Sequence, residues 1–156
     1  MEMDLVITST AFANDETIPD EYTGKGKDIS PPLDISGINP EGRTIALIMD
    51  DPDARSGVFT HWIIWNIPVR NNFIPADIPG KGNVAILGGA VQGINDFNTL
   101  GYKGPKPPSG VHAYRIKAYI LDNVLDLKPG SDVSDLLKAI EGHVLQYGLL
   151  RGKVSH

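Results

Sequence analysis

Residues 50–66, DDPDARSGVFTHWIIWN, decide the fold that we expect for this chain. Proline, serine and glycine in this stretch predict a turn between two apolar runs, residues 44–49 and 61–67, which are typical of strands. If the two strands pair antiparallel, the end of the first lies beside the start of the second. This pairing would bring residues 51–53, Asp-Pro-Asp, close to His61 at one end of a sheet.

The composition indicates a single globular domain over residues 1–156. A length of 156 residues with 41% hydrophobic content suits one compact domain with a core of its own. Seventeen Gly and twelve Pro favour turns over long helices. The net charge of -5 argues against general nucleic-acid binding, because neutralising phosphates requires a basic face.

The sequence contains no cysteine, which excludes disulfides, thiolate metal sites and a cysteine nucleophile. A chain without cysteine suits a reducing compartment. The N-terminus, MEMDLVITST, lacks the basic and apolar regions of a signal peptide. No apolar run approaches the roughly 20 residues that cross a bilayer. We therefore expect a soluble, cytoplasmic protein without a transmembrane segment.

Three apolar patterns in the first half of the chain predict strands. Met3, Leu5 and Ile7 alternate with polar residues, which indicates a first strand with one buried face. Residues 44–49, TIALIM, are apolar almost throughout and predict a buried strand. Residues 61–67 are apolar at odd and even positions alike, so we expect a central strand with the odd positions on one face and the even positions on the other.

The strand signal in residues 112–121, HAYRIKAYIL, is the most regular of the chain. Its alternation puts His112 and Tyr114 in one row with apolar residues, and Arg115 and Lys117 in the other. The apolar row should face the core. His112 and Tyr114 would then lie at one end of that row, directed toward the interior.

Segments rich in Gly and Pro predict loops in residues 12–42, 73–82 and 88–110. The last is long for a loop in a small domain, which is uncommon unless the segment is functional or disordered. It carries Phe97 and Tyr102, which are costly to expose to water. We therefore expect this loop to be ordered and packed over a site.

The tail from Ser131 changes to the period of an amphipathic helix. Ser131 or Asp132 is a suitable N-cap. Gly142 should end this helix, and we expect a second short helix over residues 143–150. The residues alone thus predict a mostly β architecture with a helical C-terminus.

The candidate site residues are Asp51, Asp53, His61, His112 and Tyr114, because the hairpin and the strand phase direct them to one place. Each also has an ordinary explanation. An Asp-Pro-Asp segment is a common turn, and a histidine at a strand start is commonly a hydrogen-bonded structural residue. The convergence of separate segments favours a shared pocket.

Three chemistries could use this set. Two His and two carboxylates can bind a divalent metal and activate water, but the sequence lacks the tight spacing of metal ligands. The second chemistry is nucleophilic catalysis, but the sequence has no Gly-x-Ser-x-Gly nucleophile elbow. In the third, a neighbouring carboxylate raises the pKa of His61, and the charged ring, with His112 and Tyr114, holds an anionic oxygen. The remaining carboxylate would then pair with an ammonium group.

Six motifs in the expected order resemble the phosphatidylethanolamine-binding protein family, and most closely its prokaryotic, Raf-kinase-inhibitor-like branch. They are SPPL (30–33), DDPDA (50–54), HWIIWNIP (61–68), QGINDF (92–97), GYKGPKPPSG (101–110) and HAY (112–114). The resemblance implies a mostly β, antiparallel β-sandwich-like fold with short C-terminal helices. It also implies a small anion pocket for phosphate or a phosphoethanolamine-like head group, formed by the candidate residues named above.

The same resemblance implies a non-catalytic binding or regulatory protein without a cofactor or a metal. Its partners would be a small phosphorylated ligand or phospholipid head group. Inhibition of a protein kinase or protease through the loop rim is the first alternative, and a metal-dependent hydrolase is the second. The choice between a monomer and a homodimer stays open.

The residues that depart from the family pattern include two near the expected pocket, Arg55 and Lys106. Arg55 stands where a proline usually follows Asp-Pro-Asp-Ala, which makes the rim more basic and less rigid. Lys106 stands at a position that is usually small. It is either a cation near the pocket or a solvated loop residue.

Overall fold

A computed structural model describes residues 4–156, and in this part of the chain strands dominate. One α-helix, α1, spans Val133–Ile140, and 3-10 turns span Asp20–Tyr22 and Ala85–Leu87. The strands are β1 (Val6–Thr8), β2 (Glu16–Thr17), β3 (Leu33–Ser36), β4 (Thr44–Asp51), β5 (Phe59–Pro68), β6 (Phe73–Ile74), β7 (Asn83–Val84), β8 (Ala90–Gln92), β9 (Val111–Leu121) and β10 (Val144–Ser155). Met3, part of the predicted first strand, lies outside the described residues, whereas Ile7 is buried as expected.

The strands form two sheets. The larger has seven strands in the order β2-β10-β9-β4-β5-β8-β7, and the smaller has the order β1-β3-β6. The described strand pairs are antiparallel except for β2 with β10. The predicted antiparallel pairing of β4 with β5 is confirmed, and β9 lies on the other side of β4. The prediction of a mostly β, antiparallel fold is therefore confirmed.

Each face of the large sheet supports its own apolar core. One face packs toward the small sheet, and its core includes Ile7, Leu33, Ile35, Leu47, Met49, Trp62, Ile64, Ile74, Tyr114 and Ile116. The other face packs against α1 and the segment before it, and its core includes Ala46, Ile48, Ile63, Trp65, Leu125, Leu136 and Ile140. Because β4 and β5 are covered on both faces, the predictions of a buried β4 and a central β5 are confirmed.

Helix α1 begins with a capping box. The carboxylate of Asp132 accepts the N–H of Asp135 at 2.9 Å, and the carboxylate of Asp135 accepts the N–H of Asp132 at 3.1 Å. The predicted cap and the break before Gly142, whose φ is 79°, are both observed. No helix within residues 4–156 is both long and apolar enough to cross a bilayer.

The second helix, predicted over residues 143–150, is wrong because residues 144–150 belong to β10. Buried and exposed residues alternate regularly along β10 from Gln146 onward. The buried row includes Gly148 and Gly152, and a Cβ on Gly152 would lie 2.4 Å from Cγ1 of Ile18. Because glycine replaces a bulky residue where the strand is closely covered, the apolar alternation is weak in the sequence.

The predicted loops also contain short strands. Residues 12–42 include β2 and β3, residues 73–82 include β6, and residues 88–110 include β8. These strands have two to four residues each, so they are too short to show a period. The missed strands β3 and β6 complete the small sheet that covers the core.

Strand β5 changes phase before its end. Ile64 pairs with Leu47 and Ile67 pairs with Ile45, so β5 carries one residue more than β4 in this interval. Asn66 lies in the bulge with a φ of 58°. Ile67 consequently joins the core of Ile64, and the prediction that it shares a face with Ile63 and Trp65 is wrong.

Asn66 also connects the bulge to the segment before α1. Its Nδ2 donates to the carbonyl of Leu125 at 2.9 Å, and its Oδ1 accepts the N–H of Leu125 at 2.8 Å. We expect Asn66→Ala to lower the free energy of unfolding by about 3 kcal/mol, from two lost hydrogen bonds and a left-handed backbone.

The variant Asn66→Gly separates these two contributions. Glycine removes the same hydrogen bonds but adopts positive φ freely, so it should cost about 2 kcal/mol. Urea unfolding of both variants measures the difference. Equal destabilisation by alanine and glycine would contradict a role for the left-handed backbone at this position.

Candidate functional site

A cavity of about 510 Å³ lies where the turn between β4 and β5 meets the start of β9. All five predicted site residues line it, so the predicted convergence of separate segments on one cavity is observed. Arg55 and Lys106 line it as well. The lining consists of Asp51, Asp53, Ala54, Arg55, Phe59, His61, Phe97, Lys106, Pro107, Pro108, Ser109, His112 and Tyr114.

Strand alternation assigns two consecutive buried carboxylates to different surroundings. Asp50 pairs with Arg115 of β9, and its carboxylate accepts hydrogen bonds from this guanidinium at 2.7 and 3.1 Å. Lys117 lies 2.7 Å from the same carboxylate. Because successive residues of a strand point to opposite faces, Asp51 faces the cavity.

A bulge in β5 directs His61 into the cavity. Thr60 pairs with Asp50 and Trp62 with Met49, so His61 is an extra residue between the two pairs. Regular alternation would place His61 opposite Trp62. Instead the ring of His61 lies 5.4 Å from that of Tyr114, on the face to which Trp62 also belongs.

Asp51 is the hydrogen-bonding centre of the cavity. Its Oδ2 accepts the Nδ1–H of His112 at 2.6 Å, and its Oδ1 accepts the N–H of Asp53 at 2.8 Å. The ring of Tyr114 stacks beside that of His112, with 6.2 Å between the ring centroids. Burial raises the pKa of Tyr114 and the charge of Asp51 adds to the rise, so the hydroxyl stays protonated at neutral pH.

Asp53 connects the turn to β9. Its Oδ2 accepts the N–H of Ala113 at 3.0 Å. The side chain is exposed, unlike that of Asp51. The Asp-Pro-Asp segment is therefore an ordinary turn and also forms a wall of the cavity.

His61 is held by the loop that covers the cavity. Its Nδ1 lies 2.7 Å from the carbonyl oxygen of Lys103, and the N–H of Lys103 donates to the carbonyl of His61 at 3.1 Å. Phe59 and Phe97 pack on the ring with centroid distances of 5.1 and 5.6 Å. The expectation that residues 88–110 form an ordered cover is confirmed for this part of the loop.

Burial lowers the pKa of His61, against the opposing effects of the Lys103 carbonyl and of Asp51. The expectation of a raised pKa is therefore wrong. The sequence shows the neighbouring carboxylate but not the burial of the ring. Burial disfavours the charged form of the ring more strongly than the carboxylate favours it. At neutral pH the ring is uncharged, donates Nδ1–H to Lys103 and leaves Nε2 as an acceptor.

Both imidazoles of the cavity are thus anchored through Nδ1. His61 uses Nδ1 for the Lys103 carbonyl and His112 uses it for the carboxylate of Asp51. Within residues 4–156 neither Nε2 atom has a hydrogen-bond partner, so both remain for a ligand. Such an atom accepts a hydrogen bond when the ring is neutral and donates one when it is protonated.

A metal site would require several of these side chains to direct their ligand atoms at one point. Within residues 4–156, no group of three or more His, Cys, Asp or Glu side chains is arranged to hold a metal ion. Asp51 directs its carboxylate oxygens to His112 and to the backbone N–H of Asp53. Asp53 directs one of its own to Ala113.

Several cavity residues were not selected from the sequence. Phe59 and Phe97 form an aromatic wall with His61, and their rings lie 4.8 Å apart. Pro107, Pro108 and Ser109 come from the Gly- and Pro-rich loop. Phe59 could have been found from its position two residues before His61 in the same strand, whereas the loop residues carry no periodic signal.

The fold and the cavity define a class of protein, a two-sheet β domain with a polar pocket at one end of its central strands. The family model for phosphatidylethanolamine-binding proteins matches residues 8–155. The chain belongs to the phosphatidylethanolamine-binding protein family, and the resemblance seen in its motifs is confirmed.

Relatives and solved structures agree with this assignment. A UPF0098 protein of Pyrococcus abyssi is 48% identical over 151 residues, which cover 96% of this chain and 84% of the relative. A UPF0098 protein of Methanothermobacter thermautotrophicus is 50% identical and covers 91% and 93% of the two chains.

Two crystal structures share the whole fold. A phosphatidylethanolamine-binding protein homologue of Chlamydia trachomatis has a TM-score of 0.89 at 33% identity, with 98% of each chain covered. YbcL of Escherichia coli, described as a member of the mammalian family, has a TM-score of 0.89 at 25% identity and covers 100% of this chain and 99% of its own. The predicted fold class is confirmed by these similarities.

The lowered pKa of His61 predicts a pH-dependent stability. Below the ordinary histidine value of 6.5, the unfolded chain binds a proton that the folded chain does not. The free energy of unfolding therefore falls as the pH drops from 6.5 toward the lower pKa that His61 has in the folded chain. Above 6.5 the ring is neutral in the folded and the unfolded chain, so His61 then costs no stability. The variant His61→Asn keeps an N–H donor for Lys103 but does not titrate.

Urea unfolding of both proteins between about pH 7 and pH 5 tests this expectation. The variant should lose less stability than the wild type over this range, because the other titrating groups are common to both. Parallel losses would mean that burial does not depress the pKa of His61.

Proposed function

We propose that this protein binds small phosphate-bearing ligands in the cavity around Asp51 and releases them unchanged. The proposal rests mainly on the two imidazoles anchored through Nδ1, which leave Nε2 of His61 and of His112 for a ligand. Family membership supports a binding role. A cytoplasmic location is part of the proposal and is supported by the absence of cysteine.

A tetrahedral anion suits the cavity when the imidazoles are protonated. Each Nε2–H then donates a charge-assisted hydrogen bond to an anionic oxygen. Asp51 holds the ring of His112 in place, and the ring of Tyr114 stacks beside it. The aromatic wall of Phe59 and Phe97 offers an apolar surface to the remainder of a small ligand.

The lowered pKa of His61 sets the expected pH dependence. An anion favours the protonated ring, so binding takes up a proton and affinity rises as the pH falls through the histidine range. Sulfate is a suitable probe because it stays a dianion from pH 8 to pH 5.5. We expect calorimetry and NMR titration to give tighter sulfate binding at pH 5.5 than at pH 8.

The variants His61→Asn and His112→Asn test the assignment to this cavity. Asparagine retains a donor in place of Nδ1 but lacks Nε2, so each variant should bind sulfate about tenfold more weakly at pH 6. His143→Asn is a matched control, because His143 forms a similar Nδ1 contact of 2.8 Å with Asp122 outside the cavity. No binding of sulfate or phosphate by the wild type at pH 6 would refute the proposal.

The same experiment can detect turnover. Phosphoethanolamine incubated with the protein should give an unchanged ³¹P NMR spectrum over hours. A growing signal of inorganic phosphate, abolished in His112→Asn, would instead indicate a hydrolase.

A second candidate function, docking of a protein partner on the rim, is favoured by exposed apolar side chains. Val58 and Val111 are 59% and 63% exposed, and Phe97 is 43% exposed. Val58 and Val111 immediately precede the cavity residues Phe59 and His112. A contiguous apolar patch beside a pocket is typical of a contact surface.

This candidate predicts a partner, a protein kinase or a protease, whose capture is insensitive to His61→Asn and His112→Asn. The double variant Val58→Ser with Val111→Ser should abolish the capture. Loss of the partner with the histidine variants alone would assign recognition to the cavity instead.

A further inference from the structure

Two cations of the cavity are not used by the site described above. Arg55 follows the Asp-Pro-Asp-Ala turn, and Lys106 belongs to the covering loop. Both side chains line the cavity and both residues are exposed. They therefore stand at its mouth, where a ligand from solvent first meets the protein.

The backbone that leads into Lys106 is held by two hydrogen bonds. The N–H of Gly24 donates to the carbonyl of Pro105 at 2.8 Å, and the N–H of Gly104 donates to Asp28 at 2.6 Å. A Cβ on Gly24 would lie 2.9 Å from Cβ of Lys106 and 3.1 Å from its Cδ. The lysine stem therefore lies directly on the glycine, which restricts the directions available to its ammonium group.

The backbone around Arg55 is held in a similar way. The N–H of Gly57 donates to the carbonyl of Ala54 at 3.1 Å, which closes a turn around Arg55. Asp53 fixes the start of this turn through its bond to Ala113 at 3.0 Å. The two cations are thus presented by separate segments that are each tied to the body of the protein.

Neither cation is neutralised by an ion pair. Within residues 4–156, Arg55 and Lys106 have no carboxylate at ion-pair distance. Lys103, in the same loop as Lys106, is paired with Asp28 at 3.6 Å. The charges of Arg55 and Lys106 are therefore available to an anion in the cavity.

We propose that Arg55 and Lys106 make the cavity selective for phosphomonoesters, which carry up to two negative charges, over phosphodiesters such as lipid head groups, which carry one. This inference rests on the proposed function and adds the class of its ligand. Each cation attracts each negative charge, so the second charge of a monoester gains from both side chains. A diester lacks that charge and places a substituent at the mouth instead.

Sulfate and methyl sulfate isolate this effect. Both are tetrahedral, neither titrates near pH 6, and they differ by one charge and one methyl group. At about pH 6 and low salt, where screening is weak, the wild type should bind sulfate about tenfold more tightly than methyl sulfate. Lys106→Gln and Arg55→Gln should each reduce this ratio roughly threefold, the size expected for one exposed charge pair.

Matched controls are available on other surfaces. Lys138 in α1 and Arg70 after β5 are exposed residues that do not line the cavity. Lys138→Gln and Arg70→Gln should leave the ratio unchanged. In a competition at pH 7.5, methyl phosphate should displace bound sulfate more effectively than glycerophosphoethanolamine, which distinguishes a free monoester from a lipid head group.

The outcomes separate this inference from the proposed function. If the wild type binds sulfate but the ratio is the same in Lys106→Gln and Arg55→Gln, the cations do not select the ligand and the inference fails alone. If glycerophosphoethanolamine competes better than methyl phosphate, a lipid head group is preferred and the inference also fails. If the wild type binds neither sulfate nor methyl sulfate, both proposals fail.

Discussion

The buried carboxylate of Asp51 is the constraint on which the cavity depends. A carboxylate removed from water is tolerated only when its oxygens are hydrogen-bonded. Asp51 satisfies them with the Nδ1–H of His112 of β9 and with the N–H of Asp53 in its own turn. These bonds hold the end of β4 against the start of β9, and the cavity is the space that remains between them and His61.

The neighbouring carboxylate of Asp50 shows how strand geometry divides charge between two faces. Asp50 is buried on the opposite face, where Arg115 and Lys117 neutralise it. Asp51, one residue later, is surrounded by an imidazole and a phenol. The period of two along β4 therefore separates a structural ion pair from a polar pocket, although the sequence shows only two adjacent aspartates.

The sequence predicts what depends on period and on neighbouring segments. The pairing of β4 with β5 and the inward row of His112 and Tyr114 follow from apolar alternation, and these features locate the cavity. The bulge at His61 could not be predicted, because an extra residue in a strand is defined only by its partner. The lowered pKa of His61 could not be predicted either, because it depends on the burial of the ring under Phe97 and the Lys103 segment. Strand β10 was missed because its buried row contains glycine.

The cavity combines two cations at its mouth with a titratable imidazole inside, and this combination has a physical consequence for a ligand. Protonating His61 costs free energy because the ring is buried, so an anion bound at neutral pH must supply that cost from its own interactions. Arg55 and Lys106 lie at the mouth and offer a second place for negative charge. The inner site therefore responds to pH. A ligand with a second negative charge can use both, since one oxygen reaches the imidazoles while the remaining charge lies near the mouth.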